Sequence, residues 1–409
     1  MSLIDLRVIV AGGGIGGLAA ALLFSRQGAD VTLVERVADP AEVGAGLLLQ
    51  PNGLAVLKHL GLQSELDRTG IATRGNAVRR ADGTAISEVT VPDYGQGLDR
   101  MIAVRRSALY TALLTQVRGD GAIKALFGTT ATGAERTGTL TVATDPENET
   151  RELTADLVIG ADGIGSVVRA AGEFGAVIDR TRHRYLRAVV DAGADGSTPE
   201  ISGEYWTSQG LFGGTRIDAD HLYFYADVTA PQSSAAIQAR DLAALRSVWA
   251  RALPLGGDLF DRVPSFDDLL LNDVSSVRTD SWFDGRLVLL GDAAHAMPPT
   301  AGQGANSALV DAAVLTLELA DHQVDEALLR YQQRRKSAVT KVQRRATQLA
   351  RLAEVRGSFT RAARDAALGL LGRLPGGTDR ISRSMQQEDP AALLTALQQL
   401  PARSTGQQR

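Results

Sequence analysis

A glycine-rich turn near the N-terminus constrains the fold of this chain more than any other feature. The stretch LRVIVAGGGIGGLAAALLFSRQGADVTLVERV begins with an apolar, β-branched run, which is typical of a strand buried in a parallel sheet. A GxGxxG pattern follows at Gly12, Gly14 and Gly17, and an Ala- and Leu-rich helical segment then ends at Gly28. DVTLVE predicts the next strand. The spacing therefore predicts a βαβ unit and an α/β fold.

This turn has the residues that an adenosine dinucleotide requires. Gly12 permits the tight turn, Gly14 lets a pyrophosphate reach the backbone, and Gly17 lets helix and strand approach each other. The helix starting at Ile15 offers free N–H groups and its positive dipole end to phosphates. Glu35 ends the second strand, where a carboxylate accepts hydrogen bonds from ribose hydroxyls. A purely structural glycine turn is the alternative interpretation.

Composition excludes several functional classes. Hydrophobic residues make up 44% of the 409 residues and charged residues 22%, as in ordinary globular proteins. A net charge of −4 gives no indication of a nucleic-acid partner. The chain has no cysteine, which excludes disulfides, thiolate nucleophiles and iron–sulfur clusters. Five scattered histidines without HxxxH or HExxH spacing predict no metal site.

The apolar run at residues 8–24 also has a membrane interpretation. It resembles a signal peptide or a spanning helix, and Gly13 and Gly17 fit GxxxG. The run is, however, shorter than the roughly 20 apolar residues that a spanning helix needs. No basic cluster precedes it and no A-x-A cleavage site follows it. We therefore expect a cytoplasmic protein without membrane association.

Two further apolar strands end like the first. ADLVIGADGIG at residues 155–165 and GRLVLLGDAAH at residues 285–295 both run from an apolar stretch into Gly, Asp and small residues. Segments 76–97 and 183–275 differ, because they carry most of the aromatics and alternate with period two, as in HLYFYADV. The apolar strands that end in Gly and Asp predict one parallel sheet, in which the carboxyl ends of the strands contact a common ligand. The alternating segments predict an antiparallel sheet interleaved with it.

From residue 325 onward the pattern is helical. One apolar stripe is predicted, consisting of Leu328, Tyr331, Val339, Val342, Ala346, Leu349 and Ala353. This region holds 16 Arg and Lys against 7 Asp and Glu. Two interpretations remain: a basic, solvated helix face that packs by its other side on the body of the protein, or a helix that binds a membrane surface or an anionic partner.

The stretch GDAAHAMPPTAGQGAN, residues 291–306, contains unusually many turn residues after a strand. Together with the GxGxxG turn, EVGAGLLLQPNGLAVLKHLGL and ADLVIGADGIGSVVR, it resembles the FAD-dependent aromatic-ring monooxygenases, which include salicylate hydroxylases, flavin-dependent urate hydroxylases and zeaxanthin epoxidase. The resemblance covers roughly residues 5–350. It implies a para-hydroxybenzoate hydroxylase-like fold: a Rossmann-like FAD-binding domain, an interleaved mixed or antiparallel β-sheet substrate domain, and C-terminal helices.

The resemblance also implies roles for individual residues. Asp292 is expected to bind a ribityl hydroxyl of FAD, and Arg106, in VRRSALYTAL, to lie near the pyrophosphate or ribityl chain. Asp162, with Arg169, matches a motif that serves FAD and the nicotinamide cofactor. The backbone beside the flavin pyrimidine is expected to comprise Gly302, Gln303, Gly304, Ala305 and Asn306. Ile15 and Arg36 complete the expected cofactor site.

Physical chemistry supports a flavin at residues 302–306. Glycines at 302 and 304 would let a planar ring lie on bare backbone. A helix that begins there would direct its positive end at the flavin N1–C2=O, where negative charge collects on reduction. His295 is either a catalytic base or a structural residue behind the FAD-binding Asp292, and we favour the structural role.

The resemblance implies a single-component monooxygenase with non-covalent FAD. NADPH or NADH would reduce the flavin, O2 would form a flavin C4a-hydroperoxide, and a small phenolic or nitrogen-heteroaromatic substrate would be hydroxylated. Phe212, Tyr223 and Pro299 are expected to contact that substrate, and core packing is the alternative role for residues 205–225, which include Phe212 and Tyr223. An Arg that urate hydroxylases use corresponds to Leu211, so urate itself is not the expected substrate. The alternatives are an oxidase or epoxidase of the same fold and a non-catalytic FAD-binding scaffold.

The interleaving predicts boundaries within the chain, with a monomer or homodimer as the expected assembly. The FAD-binding domain is expected to comprise residues 1–75, 98–182 and 276–324, the substrate domain residues 76–97 and 183–275, and the C-terminal helical region residues 325–409.

Overall fold

The fold was obtained as a computed structural model, which describes residues 3–4, 6–40, 45–144, 149–193, 201, 203–355, 357–373 and 377–401. The strands are β1 Arg7–Ala11, β2 Asp30–Glu35, β3 Gly46–Leu49, β4 Ile71–Thr73, β5 Gly75–Arg80, β6 Ala85–Thr90, β7 Met101–Arg105, β8 Ile123–Phe127, β9 Thr130–Glu135, β10 Thr139–Ala143, β11 Thr150–Thr154, β12 Leu157–Gly160, β13 Val177–Asp191, β14 Gly203–Trp206, β15 Leu211–Arg216, β16 His221–Asp227, β17 Leu270–Arg278, β18 Phe283–Asp284 and β19 Leu287–Leu289.

The helices follow the same order along the chain. They are α1 Ile15–Arg26, α2 Pro51–His59, α3 Gln63–Thr69, α4 Arg106–Gly119, α5 Val167–Ala171, α6 Pro231–Gln238, α7 Leu242–Ala252, α8 Pro254–Phe260, α9 Asp292–His295, α10 Gly304–Asp321, α11 Val324–Ala353, α12 Ser358–Arg373, α13 Gly377–Met385 and α14 Pro390–Gln399. Short 3-10 turns lie at Phe266–Asp268 and Pro299–Ala301.

The parallel sheet brings together the three strands that the sequence pattern singles out. Its order is β18-β19-β12-β1-β2-β8, and every pairing is parallel except that of β18 with β19. Val8 of β1 lies opposite Val31 on one side and Leu157 on the other. Since β19, β12 and β1 are neighbours, the Gly/Asp turns that follow them lie at one edge of the sheet. This confirms the predicted α/β class.

A second, seven-stranded sheet is interleaved with the first. Its order is β17-β13-β16-β15-β14-β5-β6, and all its pairings are antiparallel except that of β14 with β5. The chain enters it from β4, leaves it for β7 to β12, and returns at β13. Two three-stranded sheets, β3-β7-β4 and β11-β10-β9, complete the connections.

The two faces of the seven-stranded sheet have different coverings. Helices α6, α7 and α8 cover one face, where Phe224, Trp249 and Phe260 form an aromatic core. The burial of β16 alternates as the sequence predicts, with Leu222 and Phe224 buried and Tyr223 and Tyr225 half-buried on the other face. That second face is turned away from these helices.

The position of Phe212 corrects the expectation that it contacts substrate. Phe212 is fully buried in the aromatic core, with its ring centroid 5.5 Å from that of Phe224 and 5.3 Å from that of Trp249. Its register partner in β16 is Ala226, so it shares the helix-covered face rather than the face of Tyr223. Strand alternation therefore directs the Phe212 side chain away from the expected cleft.

The C-terminal region packs on the body of the protein through α11. The buried side of this helix includes Leu328, Tyr331, Val339 and Val342, as the apolar stripe predicts, whereas Leu349 is only half-buried. Polar side chains also interrupt the buried side, the most enclosed being Arg335. Among the described residues, no helix is both long enough and apolar enough to cross a bilayer.

We expect Phe212→Ala to destabilise the protein without a specific effect on substrate. Loss of a buried Phe side chain costs about 3–5 kcal/mol, because lost burial and an unfilled cavity add together. Urea denaturation of the wild type, Phe212→Ala and the milder Phe212→Leu measures this effect. If Phe212→Leu raised KM for substrate while the unfolding free energy stayed unchanged, the core assignment of Phe212 would be wrong.

Candidate functional site

The glycine turn after β1 leaves the start of α1 open. Gly14 is the residue before α1, and no side chain caps the helix there. A Cβ atom added to Gly14 would meet nothing within 4 Å, whereas one at Gly17 would lie 1.9 Å from the carbonyl oxygen of Gly12. Ile15, the first helical residue, is buried. The turn is thus packed tightly from behind and open in front, as an anion site at a helix N-terminus requires.

Glu35 is held against this turn by the backbone. Its Oε2 accepts a hydrogen bond from the Gly13 N–H at 2.7 Å, and its Oε1 accepts one from the Val37 N–H at 2.9 Å. Each oxygen keeps a further lone pair with which to bind a ribose hydroxyl. Glu35 is half-buried and Arg36 is exposed. The Glu35 carboxylate therefore stabilises the glycine turn whether or not Glu35 also binds a ligand.

The carboxyl end of β12 carries Asp162 and Arg169. Asp162 Oδ2 accepts hydrogen bonds from the Val167 and Val168 N–H groups at the start of α5, whereas its Oδ1 is buried without a partner among the described residues. Burial raises the pKa of the Asp162 carboxyl. The Arg169 guanidinium donates to the carbonyl oxygens of Ile164 at 2.5 Å and Ala293 at 2.8 Å. Arg169 thus joins the turn after β12 to α9.

Asp292 and Arg106 lie at the starts of two other helices. Asp292 is the first residue of α9, follows Gly291 in the left-handed region at φ 59°, and is exposed. Arg106 is the first residue of α4, and its N–H donates to the Ala45 carbonyl oxygen at 2.9 Å. The Asp292 carboxylate is therefore accessible to a ligand at the same sheet edge as the glycine turn.

The segment from Pro299 to Asn306 leads into another helix start without a side-chain cap, that of α10. Pro299 is exposed at the head of a 3-10 turn, and Gly302 is in the left-handed region at φ 59°. Gly304 begins α10, no side chain caps that helix, and a Cβ atom at Gly304 would meet nothing within 4 Å. Ala305 beside it is half-buried. The free N–H groups of α10 therefore face open space.

The side chains of this segment point inward and fix it to β3 and α2. Asn306, fully buried, accepts a hydrogen bond from the Gln50 N–H and donates to the Leu48 carbonyl oxygen, both at 3.0 Å. Gln303, also fully buried, donates to Gln50 Oε1 at 2.7 Å and accepts from Asn52 Nδ2 at 3.2 Å. Gln303 and Asn306 thus hold the segment from behind, and the backbone is what it presents outward.

Two C-terminal glutamines, which the sequence analysis missed, complete this support. Gln387 Nε2 donates to Ser307 Oγ at 2.7 Å and to Gln303 Oε1 at 3.3 Å, with its own backbone in the left-handed region at φ 67°. Gln386 accepts from the Asn52 N–H at 3.1 Å, and its carbonyl oxygen accepts from Asn52 Nδ2 at 2.7 Å. The segment after α13 therefore contacts the helix starts of both α2 and α10.

A buried carboxylate connects these parts. Asp311 of α10 accepts hydrogen bonds from the Gly291 N–H at 3.0 Å and from Arg335 Nε at 2.8 Å, and lies 2.5 Å from His295 Nε2. Burial by itself raises the pKa of Asp311, but His295, Arg335 and the Gly291 N–H outweigh it and hold the pKa at about 2. Arg335 also donates to Gln387 Oε1 at 2.6 Å. His295 is thus part of a buried structural network, as expected.

Tyr223 connects the second face of the seven-stranded sheet, the face turned away from α6 to α8, to this site. A Cβ atom at Gly46 of β3 would lie 2.3 Å from Cγ of Tyr223, so the Tyr223 ring rests directly on the Gly46 backbone. The Tyr223 and Tyr225 rings are 5.7 Å apart. Leu211 is buried in a cluster with Trp206 on the same face. Leu211, which is expected to correspond to an Arg of urate hydroxylases, is therefore a buried apolar side chain.

A separate group of titratable side chains lies where β13 meets the end of α11. Candidate ligand atoms of His183, Asp227 and Glu354 lie within 4.8 Å of one another. Glu354 is also paired with Arg182 at 2.8 Å, and its Oε1 lies 3.4 Å from His183 Nδ1. The contacts describe an ion-pair cluster that ties α11 to the sheet.

Comparison with known proteins identifies the family. Residues 5–346 match the FAD binding domain family. The chain is 31% identical over 338 residues to aurachin C monooxygenase/isomerase of Stigmatella aurantiaca, covering 80% of this chain and 84% of that one. It is 31% identical to the FAD-dependent urate hydroxylase of Mycolicibacterium vanbaalenii, covering 81% and 84%. The chain belongs to the FAD-dependent aromatic hydroxylase family.

A solved structure shares the fold. The tetrameric form of 2-methyl-3-hydroxypyridine-5-carboxylic acid oxygenase superposes with a TM-score of 0.74 at 25% identity, covering 94% of this chain and 97% of that one. The expected fold and the expected class, an FAD-dependent monooxygenase, are confirmed.

The residues of this chain fit FAD. Two helix starts without side-chain caps, at Gly14 and Gly304, face open space. Among the described residues the buried Asp162 Oδ1 lacks a donor, and Asp292 is exposed at the start of α9. These are the acceptors and N–H groups that a diphosphate, a ribityl chain and a flavin ring require.

We expect Gly304→Val to weaken FAD binding while the apoprotein stays folded. The new side chain would occupy the open space before α10, where it meets no protein atom in the structure. Gly121→Val is the matched control, since a Cβ atom there also meets nothing within 4 Å. FAD titration and thermal denaturation of the apoproteins measure the two effects. Equal FAD affinity in both variants would contradict the assignment of the flavin position.

We expect Asp311→Asn to lower the unfolding free energy by about 3–5 kcal/mol, because it leaves His295 and Arg335 buried without their counter-charge. The folded-state pKa of Asp311 lies below its unfolded value. Its contribution is therefore complete above about pH 4 and is lost as the pH falls towards 2. Urea denaturation across this range, with the exposed Asp321→Asn as control, measures the difference. A constant difference between wild type and Asp311→Asn at all these pH values would contradict the prediction.

Proposed function

We propose that this protein is a single-component FAD monooxygenase that uses NAD(P)H and O2 to hydroxylate a small phenolic or nitrogen-heteroaromatic compound. The overall balance would be ring C–H plus O2, NAD(P)H and a proton to ring C–OH, NAD(P)⁺ and water. We further propose that the seven-stranded sheet, with α6 to α8, forms the substrate domain, and that the predicted boundaries in the chain describe this division.

The observation that carries the proposal is the arrangement around β3. Asn306 holds the start of α10 to this strand and the residue after it, through Leu48 and Gln50. The Tyr223 ring rests on Gly46 of the same strand. The expected flavin position and the Tyr223 face of the substrate sheet therefore both contact β3, which supports transfer of an atom from one to the other.

The chain would contribute binding, orientation and electrostatics. The α1 start and Glu35 would bind the adenosine half of FAD, and Asp292 and Arg106 the ribityl and phosphate groups. Bound FAD supplies the redox chemistry and the activation of O2. The positive end of α10, 18 residues long, would stabilise negative charge on the flavin pyrimidine. Pro299 would border the substrate.

The nicotinamide cofactor would use the same cleft. The sequence contains no second GxGxxG after a strand, so a separate nicotinamide domain has no support. Asp162 and Arg169, which match the motif shared by FAD and the nicotinamide cofactor, lie at the edge of the sheet beside α9. A shared cleft favours reduction that depends on bound substrate, because reduced flavin would otherwise consume NAD(P)H to form peroxide.

The substrate class is supported by the relatives and by the residues on the Tyr223 face of the sheet. The urate hydroxylase and the hydroxypyridine-carboxylic acid oxygenase bear the names of nitrogen heterocycles. Leu211 and Trp206 give this face of the sheet an apolar character. We therefore favour an aromatic ring less polar than urate.

A suitable substrate should accelerate NAD(P)H oxidation by at least about tenfold, and one atom from labelled O2 should appear in the product. We would screen phenols and nitrogen heterocycles against the FAD-loaded enzyme, and then analyse the product by mass spectrometry under ¹⁸O2. A substrate-free reaction is the control for uncoupled oxidation. Unlabelled product, with all the oxygen recovered as peroxide, would indicate an oxidase and overturn the proposal.

A further inference from the structure

We propose that Glu204, positioned by Tyr225, binds a ring N–H or O–H of the substrate. This inference rests on the proposed function, since it names a substrate contact in the same cleft. Neither residue was singled out by the sequence analysis.

Strand pairing places Glu204 on the same face as Tyr223. Glu204 of β14 lies opposite Gly213 of β15, and Gly213 lies opposite Tyr225 of β16. Residues that are paired across a sheet share a face, and Tyr223 and Tyr225 are two residues apart on one strand. Glu204 is therefore turned away from α6 to α8 and towards the side on which Tyr223 meets β3.

The paired residues Glu204, Gly213 and Tyr225 place the Tyr225 hydroxyl next to the Glu204 carboxylate. The Tyr225 hydroxyl donates to Glu204 Oε1 at 2.9 Å. A Cβ atom at Gly213, between them, would lie 2.4 Å from Cζ of Tyr225 and 2.5 Å from its hydroxyl oxygen. The Tyr225 ring thus crosses bare backbone to reach the acid. Any side chain at position 213 would block this contact.

The Glu204 carboxylate lacks the partners that a structural acid would have. Within the described residues, the bond from Tyr225 is the only completed side-chain hydrogen bond of Glu204, and no cation pairs with it. The buried Trp206 indole N–H approaches it without completing a hydrogen bond. Burial raises the pKa of Glu204 to about 7, although Tyr225 and Trp206 lower it. Glu204 nevertheless keeps some accessible surface, as a group lining a cleft does.

Several other charged or titratable groups lie near this face. They are Tyr185, Arg187, Tyr223, Asp227 and Glu354, and on the α12 side Arg80, Arg364 and Asp365. Glu354 is paired with Arg182, and Asp365 with Arg80 and Arg364. Arg187 lies opposite Tyr225 in the strand register and therefore shares its face, but among the described residues no ion pair joins Glu204 to this cation. A carboxylate accepts hydrogen bonds and donates none when ionised, so the group that Glu204 would recognise is an N–H or O–H donor.

The test compares 4(1H)-quinolone with its N-methyl derivative, which differ in the single N–H donor. Binding to the FAD-loaded wild type, followed by the change in flavin absorbance, should be at least about tenfold tighter for the N–H compound. Glu204→Gln should remove this preference. Glu88→Gln, an exposed acid on β6 of the same sheet, is the matched control and should retain it.

The pH dependence separates recognition from a structural role. Quinolone affinity should rise with pH and have its midpoint near 7, because the ionised carboxylate is the stronger acceptor. Glu204→Gln should show a flat profile. Tyr225→Phe should shift the midpoint upward, because the Tyr225 hydrogen bond lowers the pKa of Glu204.

Stability provides a readout that does not depend on ligand. The pKa of Glu204 in the folded protein, about 7, lies above its ordinary value of 4.5. As the pH rises from 4.5 to about 7, ionisation of Glu204 therefore lowers the stability of the folded state. Glu204→Gln should therefore be at least as stable as the wild type at pH 8. A destabilised Glu204→Gln variant would instead show that the acid is structural.

The results that would contradict this inference differ from those that would contradict the proposed function. Equal binding of the two quinolones, no binding of either, or an unchanged preference in Glu204→Gln would each overturn the inference. Labelled oxygen could still enter a different substrate in that case. If no compound yields labelled product, the proposed function fails, whereas the binding and stability tests still decide the role of Glu204.

Discussion

The buried carboxylate of Asp311 is the interaction on which the cofactor site most depends. It joins the turn at Gly291, the His295 ring and the Arg335 guanidinium, and so connects the exit of β19 with α10 and α11. Arg335 extends the network to Gln387, and Gln387 reaches Gln303 behind the expected flavin position. Because Asp311 and Arg335 are buried and oppositely charged, neither can move without leaving the other uncompensated. The network thus fixes the backbone that the ligand would contact.

Local sequence rules predicted the parts of the fold that local physics determines. The βαβ unit, the apolar strands β12 and β19 and the α11 stripe all follow from periodicity and turn residues. A ligand-binding role for the backbone at Gly302 and Gly304 could also be predicted, because the segment after β19 contains more turn residues than a turn alone requires. In each case the signal lies within a few residues of the element it describes.

The rest depended on contacts between distant residues. The expected substrate contact of Phe212 was wrong because the face of a strand residue follows from the register of the strand with its neighbour, and a shift of one residue reverses it. The contact of Gln387 with Gln303 spans 84 residues, and no periodicity encodes it. One signal was available: Arg335 and Gln343 interrupt an apolar stripe, and polar residues on a buried face require partners.

Two incompletely bonded carboxylates of this chain lie where ligands are expected to bind. Among the described residues, Asp162 Oδ1 is buried without a donor at the sheet edge, and Glu204 holds a carboxylate whose pKa burial raises to about 7. Asp311, further from the expected ligands, has a fully matched carboxylate whose pKa is held at about 2. A fold tolerates unmatched acids at a cost in stability when a bound molecule completes them. The contrast between matched and unmatched carboxylates therefore distinguishes the supports of this site from the surfaces that meet its ligands.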